Sequence, residues 1–84
     1  MDVTDAASVE AGIDKALDAF GAIHVCINCA GIAPGGKTVG RNGALPLERF
    51  VEVININLVG TFNVLRLAAE QMANNEPGER GERG

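Results

Sequence analysis

The residues best suited to chemistry in this 84-residue chain fall in one stretch, Ile23–Thr38, reading IHVCINCAGIAPGGKT. Three patterns overlap in it. Cys26 and Cys29 form a Cys-x-x-Cys pair, the residue set of a redox centre or of half a zinc site. Gly31 to Thr38 matches a Gly-x-x-x-x-Gly-Lys-Thr phosphate loop, in which backbone N–H groups would wrap phosphates, Lys37 would reach the terminal one and Thr38 would hold magnesium. Asn28, Cys29, Ala30 and Gly31 form a small-residue turn at the end of an apolar run, where a backbone can come close to a ligand.

The surroundings weigh these patterns. Ile23–Ala30 is apolar on both parities, rich in β-branched residues and short, the pattern of a strand covered on both faces. Cysteines three apart on one strand point to opposite faces, about 10 Å from each other and too far for a disulfide. A zinc site needs four ligands and only His24 is near, so both cysteines are expected to be small buried thiols. A phosphate loop needs a helix starting at its lysine. Here VGRNGALP follows, with two glycines and a proline, and no apolar strand ending in Asp is available for the metal. Nucleotide binding through Gly31 to Thr38 stays as an alternative.

The elements that would position this stretch read as follows. From Ala6 to Phe20, Val9, Ile13, Ala16, Leu17 and Phe20 recur at helical spacing, with Glu10, Asp14, Lys15 and Asp18 elsewhere around the turn, which predicts an amphipathic helix. Thr4 or Asp5 caps it by accepting an orphan N–H, and Gly21 ends it. Helix, tight turn and buried strand make half of an α/β unit. Gly31–Ala44, with five glycines and a proline, reads as a long loop, and long loops in small domains are often functional. Pro46 suits the first turn of a second helix running to about Met72, roughly 40 Å long. Its middle, VININLVGTFNVL, is apolar nearly all round, as in a helix buried on more than one side or packed on a second subunit. Gly60 there costs about 1 kcal/mol relative to Ala and marks a kink or a close backbone approach. Asn74–Gly84 is charged and turn-rich, a solvated loop.

Composition bounds the answer. With 46% hydrophobic and 21% charged residues the chain is globular, and its length allows one small domain burying roughly 60–65% of its unfolded surface. A net charge of −4, with seven Lys and Arg spread thinly, argues against a nucleic-acid partner. The apolar run Val53–Leu65 is interrupted by Asn55, Asn57 and Asn63 and falls short of the ~20 residues a membrane helix needs. An N-terminus with neither a basic nor an apolar region, and only two cysteines, suggests a reducing, cytoplasmic setting, with the mitochondrial matrix as the other option.

Asn28-Cys29-Ala30-Gly31 after an apolar strand resembles the Asn-(Asn/Cys)-Ala-Gly motif of the short-chain dehydrogenase/reductase family. Asp2-Val3-Thr4 one helix upstream and Asn57-Leu58-x-Gly60-Thr61-Phe62 downstream resemble its other motifs, in the family's order. NCAGIA, the Lys-Thr of the loop, GTFNVLRLAA and NNEPGERG are most similar to the type II short-chain 3-hydroxyacyl-CoA dehydrogenases. The resemblance covers essentially all 84 residues.

It implies an α/β fold, one partial domain over residues 1–84 forming the central segment of a Rossmann-type doubly wound parallel sheet, from the end of the third strand to before the fifth. It also implies roles. Asp2 would contact adenine through its carboxylate and Val3 through its backbone. Asn28, Cys29, Ala30 and Gly31 would lie along the ribose side. Asn57 would be the catalytic Asn, placed at a break in the long helix and positioning a water with its main-chain carbonyl. The cofactor would be NAD, with NADP left open, and the substrate a secondary alcohol such as a 3-hydroxyacyl-CoA. The 46–72 helix would join a homo-oligomer. Against the family pattern, the chain has no Tyr, its only Ser is Ser8, and the Gly-x-x-x-Gly-x-Gly turn is missing. The proton-transfer and carbonyl-holding groups of that chemistry are therefore absent, and the chain alone is expected to be inactive. Asn55 and Asn63 are expected to serve helix packing or capping, His24 to be a satisfied core residue, and Lys37 and Arg41 to be solvated loop charges. The rival reading is a non-enzymatic helical module that associates with itself.

Overall fold

The structure is a computed structural model that describes residues 1–33 and 35–84; Pro34, within the glycine-rich loop and the phosphate-loop pattern, lies outside the described residues. Asp5 opens the first helix, α1 (Ala6–Phe20): its backbone is extended and its carboxylate accepts the Ala7 N–H at 3.1 Å. Gly21 closes it in the left-handed region at φ 81°, its N–H reaching the Leu17 carbonyl at 2.7 Å. A Cβ would disfavour that conformation, which is why glycine stands there.

The glycine-rich loop contains a small antiparallel hairpin, β1 (Val39–Gly40) and β2 (Gly43–Ala44), pairing Val39 with Ala44 and Gly40 with Gly43. Leu45 N–H extends the ladder to the Thr38 carbonyl at 2.8 Å. Periodicity could not reveal strands of two residues.

The second helix begins after Pro46 and runs unbroken over Leu47–Met72. It has three parts: α2 (Leu47–Ile54), a π-helical segment (Asn55–Gly60) and α3 (Thr61–Met72). The expected break therefore takes the form of a wider turn rather than a kink. Gly60 marks the close approach: a Cβ there would lie 2.5 Å from Val3 Cγ2. α1 packs on α3, burying Val9, Ile13, Leu67 and Ala68, with Leu17, Ile23, Cys26, Val64 and Met72 around them.

The described residues correct four expectations. Ile23–Ala30 forms no strand and is not covered on both faces; Val25 is 73% and Ile27 78% exposed. A strand exists only against a partner, and among the described residues none lies beside it. The parallel sheet is consequently not formed by these residues, whose only sheet is the hairpin. Cys29 and His24 are exposed and Cys26 only half-buried, so neither the buried-thiol pair nor the core histidine is found. Of the two settings expected for the long helix, burial on more than one side within the chain is not found: the helix is mostly exposed, and its buried residues, Gly60, Asn63, Leu67 and Ala68, lie in its second half. The radius of gyration, 17.2 Å, compares with about 12 Å for a compact domain of this length.

The tail is tied as well as solvated. Asn75 Nδ2 donates to the carbonyls of Ile23 at 2.6 Å and Arg83 at 2.8 Å, and Arg83 Nε donates back to the Asn75 carbonyl at 3.1 Å.

Candidate functional site

Asn57 sits inside the π segment, and its side chain faces the end of the extended stretch. Its Oδ1 accepts the Ile32 N–H at 2.8 Å and its Nδ2 donates to the Ile32 carbonyl at 2.7 Å. The side-chain amide thus does for Ile32 what a neighbouring strand would do. The fit is close, since a Cβ on Gly31 would lie 3.3 Å from Asn57 Oδ1. The Asn57 main-chain carbonyl accepts the Thr61 hydroxyl at 2.8 Å, while the Thr61 N–H is directed to Leu58. The regular bond from the Thr61 N–H to this carbonyl is thus replaced by one from the Thr61 hydroxyl, and a carbonyl oxygen has a second lone pair.

Three residues further along the helix Val3 covers Gly60, and the Val3 carbonyl accepts Asn63 Nδ2 at 2.9 Å. Asn63 is buried, and its Oδ1 accepts Arg66 Nε at 3.0 Å and Nη2 at 2.7 Å. It is the packing group expected of it. Residues 2–4 are thereby fixed against the helix rather than free at a chain end.

Asp2 belongs to this anchor. Its N–H donates to Ser8 Oγ at 2.8 Å, and its Oδ1 accepts both the Thr4 hydroxyl at 2.7 Å and the Thr4 N–H at 3.0 Å. The Thr4 hydroxyl first, and then the Thr4 amide, holds the Asp2 carboxyl below the usual carboxylate range. Asp2 is thus anionic at neutral pH, with Oδ2 outside this pair of bonds. It does not cap α1, a role that falls to Asp5. Asp2 and Thr4 line an open cavity of about 510 Å³ with Leu47, Val51, Asn55 and Ile56, and with the carboxylates of Glu48 and Glu52 on its wall. Apolar side chains with hydrogen-bond acceptors at the edge can take a flat ring that carries an amine. Asn55, expected only to pack or cap, is part of this wall.

The structure therefore brings Gly31 and Ile32 to Asn57, and Val3 to Gly60 and Asn63. It does not bring Asn28, Cys29 and Ala30 to either group: all three are exposed, and Asn28 Nδ2 reaches only Cys26 Sγ, at 3.8 Å. The Thr4 bonds to Asp2, the place of Asn55 in the cavity wall and the Thr61 bond to Asn57 were not among the expected roles of these residues; the Thr after Gly60, four residues from Asn57, was the signal for the last. The helix that a phosphate loop requires after Lys37 is not there; the hairpin takes its place and the next helix starts at Leu47. Among the described residues no cluster of three or more His, Cys, Asp or Glu is arranged to hold a metal.

A sequence model of the short chain dehydrogenase family matches residues 1–80. The 3-hydroxyacyl-CoA dehydrogenase type-2 of Bos taurus is 48% identical over 85 residues, which cover 99% of this chain and 33% of that protein. The protein of the same name from Drosophila melanogaster is 49% identical over 86 residues, 100% of this chain and 34% of its own length. A peroxisomal 2,4-dienoyl-CoA reductase of Pongo abelii is 39% identical over 71 residues, 84% of this chain and 23% of the relative. The chain spans about a third of the length of the two dehydrogenases it matches.

Proposed function

This chain belongs to the short-chain dehydrogenase family, and on that premise we propose that it forms the adenine-side wall and the helix carbonyl of a nicotinamide-dependent oxidoreductase acting on the secondary alcohol of a 3-hydroxyacyl-CoA. One observation carries the reading. The paired Asn57–Ile32 hydrogen bonds seat the end of the Asn28–Gly31 turn against the π segment, as a cofactor lying along that turn requires. The anionic Asp2 at the edge of its apolar cavity accepts the adenine amine, and Val3 holds its backbone in place through Asn63. NAD, or NADP equally on these residues, supplies hydride exchange when bound. The Asn57 carbonyl holds a water with the lone pair that the Thr61 hydroxyl leaves free. The chain has no Tyr, and Ser8 accepts the Asp2 amide. The groups that exchange a proton with the substrate and hold its oxygen have to come from elsewhere, and these 84 residues alone transfer no hydride.

Titrating the purified chain with NADH tests the reading. Saturable binding weakened about tenfold by Asp2→Ala is expected. No saturable NADH binding overturns it and favours the rival, a helical module that associates with itself. One observation favours self-association in either case: Ile54, Leu58, Phe62 and Leu65 follow helical spacing along the long helix, are exposed and lie outside the cavity assigned to the base. The helix is long and apolar enough, by length and composition, to cross a membrane. We assign the stripe to a second protein surface because Asn57 and Asn63 tie the same helix to Ile32 and Val3. Neither reading calls for nucleic acid.

A further inference from the structure

We propose that Asn42 is a self-modification site, where the side-chain amide is lost to the following backbone nitrogen and the residue becomes aspartate or isoaspartate. Of the asparagines in the chain, Asn42 alone precedes a glycine. It is exposed, and with Arg41 it makes the turn between the paired residues Gly40 and Gly43. Gly43 has φ 105°, a conformation that glycine takes without strain. Its nitrogen carries no neighbouring Cβ to hold it away from the Asn42 side chain. The step is redox-neutral. The Gly43 N–H gives up its proton, the nitrogen bonds to Asn42 Cγ, and the Cγ–Nδ2 bond breaks, so that Nδ2 leaves as ammonia with that proton. A five-membered cyclic imide remains. Solvent water then adds to one of its two carbonyls and breaks that carbon's bond to the Gly43 nitrogen, which regains its proton. Opening at Cγ gives aspartate, and opening at the main-chain carbonyl gives isoaspartate.

The fold withholds the same reaction from the other asparagines. Asn55 and Asn57 lie in the π segment and Asn63 in α3, where the helical backbone keeps the next N–H in its ladder and away from Cγ. Asn75 has its Nδ2 in hydrogen bonds to the Ile23 and Arg83 carbonyls. Asn28 and Asn74 are exposed but precede Cys29 and Asn75, whose Cβ atoms crowd the attacking nitrogen. The hairpin, by contrast, offers little resistance. Its four strand residues are all exposed, and a pair of two-residue strands without a buried face opens at low cost, which frees the Gly43 N–H. The product differs in charge and in chain path. A new carboxylate stands beside Arg41 and makes the chain one unit more negative than its −4. Isoaspartate also routes the main chain through Cβ, which lengthens the turn by one carbon. The site stands on the hairpin alone and is independent of the oxidoreductase reading.

Incubating the purified whole chain at mildly alkaline pH tests the assignment, with anion-exchange chromatography to follow the charge and peptide mass spectrometry to locate the change and separate isoaspartate from aspartate. A more acidic species should accumulate, converted at Asn42 about tenfold faster than at Asn28 or Asn74, the effect of a barrier lower by about 1.4 kcal/mol. Its rate should rise with pH, because the Gly43 nitrogen attacks only after giving up its proton. Asn42→Gln has a side chain one carbon longer, which closes a less favoured six-membered ring, and it should abolish the early acidic species. Gly43→Ala should slow conversion about tenfold by placing a Cβ beside the attacking nitrogen. Isoaspartate should be found at position 42 together with aspartate, as opening of a shared cyclic imide requires. Conversion at Asn42 no faster than at Asn28 and Asn74 overturns the proposal. So does an acidic species that forms as fast in Asn42→Gln as in the parent, or a product at position 42 that is aspartate alone.

Discussion

The side-chain amide of Asn57 pairs with both main-chain groups of Ile32, 25 positions away, through bonds of 2.8 and 2.7 Å. Among the described residues these are the hydrogen bonds that fix the extended stretch to the long helix. Asn57→Ala should destabilise the native arrangement by about 1–2 kcal/mol, the net of two neutral bonds partly replaced by water. Amide hydrogen exchange gives the local readout: Ile32 should lose protection while Val9 and Ile13 in α1 keep theirs. Unchanged exchange at Ile32 would show that the pair does not hold the stretch.

Gly60→Ala presents two opposing effects. Alanine gains about 1 kcal/mol of helix propensity, but its Cβ would lie 2.5 Å from Val3 Cγ2 and 3.1 Å from Val3 Cβ, and overpacking of this kind costs about 1–3 kcal/mol. The clash should win, lowering the urea midpoint. Val3→Ala combined with Gly60→Ala removes the 2.5 Å contact with Cγ2 and keeps the 3.1 Å approach to Cβ, so it should recover most of the clash, and a double-mutant cycle gives a coupling of opposite sign to the single effects. Additive single effects would mean that the two residues do not touch.

The helices were legible in the sequence because their signals are local. The 3.6-residue spacing of Val9, Ile13 and Leu17, an acid before Ala6 and a glycine after Phe20 give α1 with both caps, and Pro46 gives the start of the second helix. The strand expected at Ile23–Ala30 does not form, since a hydrophobic run becomes a strand only where neighbours pair with it and none among the described residues does. The π segment has no periodic signature; Gly60 marked the right place through its lack of a side chain. At the candidate site, Asp2, Val3, Gly31 and Asn57 were singled out through the family resemblance, whereas the Thr4 bonds to Asp2 and the Thr61 bond to Asn57 depend on backbone turns that spacing does not encode.

The Asp2–Thr4 pair carries a pH prediction. Because Thr4 holds the folded carboxyl below its ordinary value, the turn is stabilised above the unfolded pKa and loses that stabilisation as pH falls through the folded one. Thr4→Val removes the hydroxyl bond and keeps the amide bond, so the Asp2 pKa should move up toward, but not reach, the ordinary carboxylate value. Carboxyl-carbon NMR titration of Asp2 in both proteins reads this directly. A Thr4→Val pKa equal to the parent's would remove the hydroxyl from the account.

Asn75 ties three points of chain together through Ile23, Arg83 and its own carbonyl. Asn75→Ala should free residues 76–84 without disturbing α1. Limited trypsin digestion should then cut after Arg80 and Arg83 several-fold faster than in the parent, since cleavage follows the population of the open form. Equal cutting rates in the two proteins would show that the tail is already open.

The exposed stripe of the long helix gives the last prediction. Leu58 is 65% and Phe62 62% exposed, one turn apart and flanked by Ile54 and Leu65 on the same face. Burying a side chain of this size contributes about 1.5–3 kcal/mol, so a symmetric contact using both residues from each copy has enough apolar surface to hold a dimer. Leu58→Lys with Phe62→Lys places like charges across that contact and removes its centre. Both positions lie opposite the buried Leu67–Ala68 face, so the α1–α3 core should survive, as helical circular dichroism would report. Sedimentation velocity over a range of concentrations should show an associating parent and a double variant whose association is at least tenfold weaker. A parent that stays monomeric at the highest concentration, or a variant that associates as strongly, would take self-association away from this face.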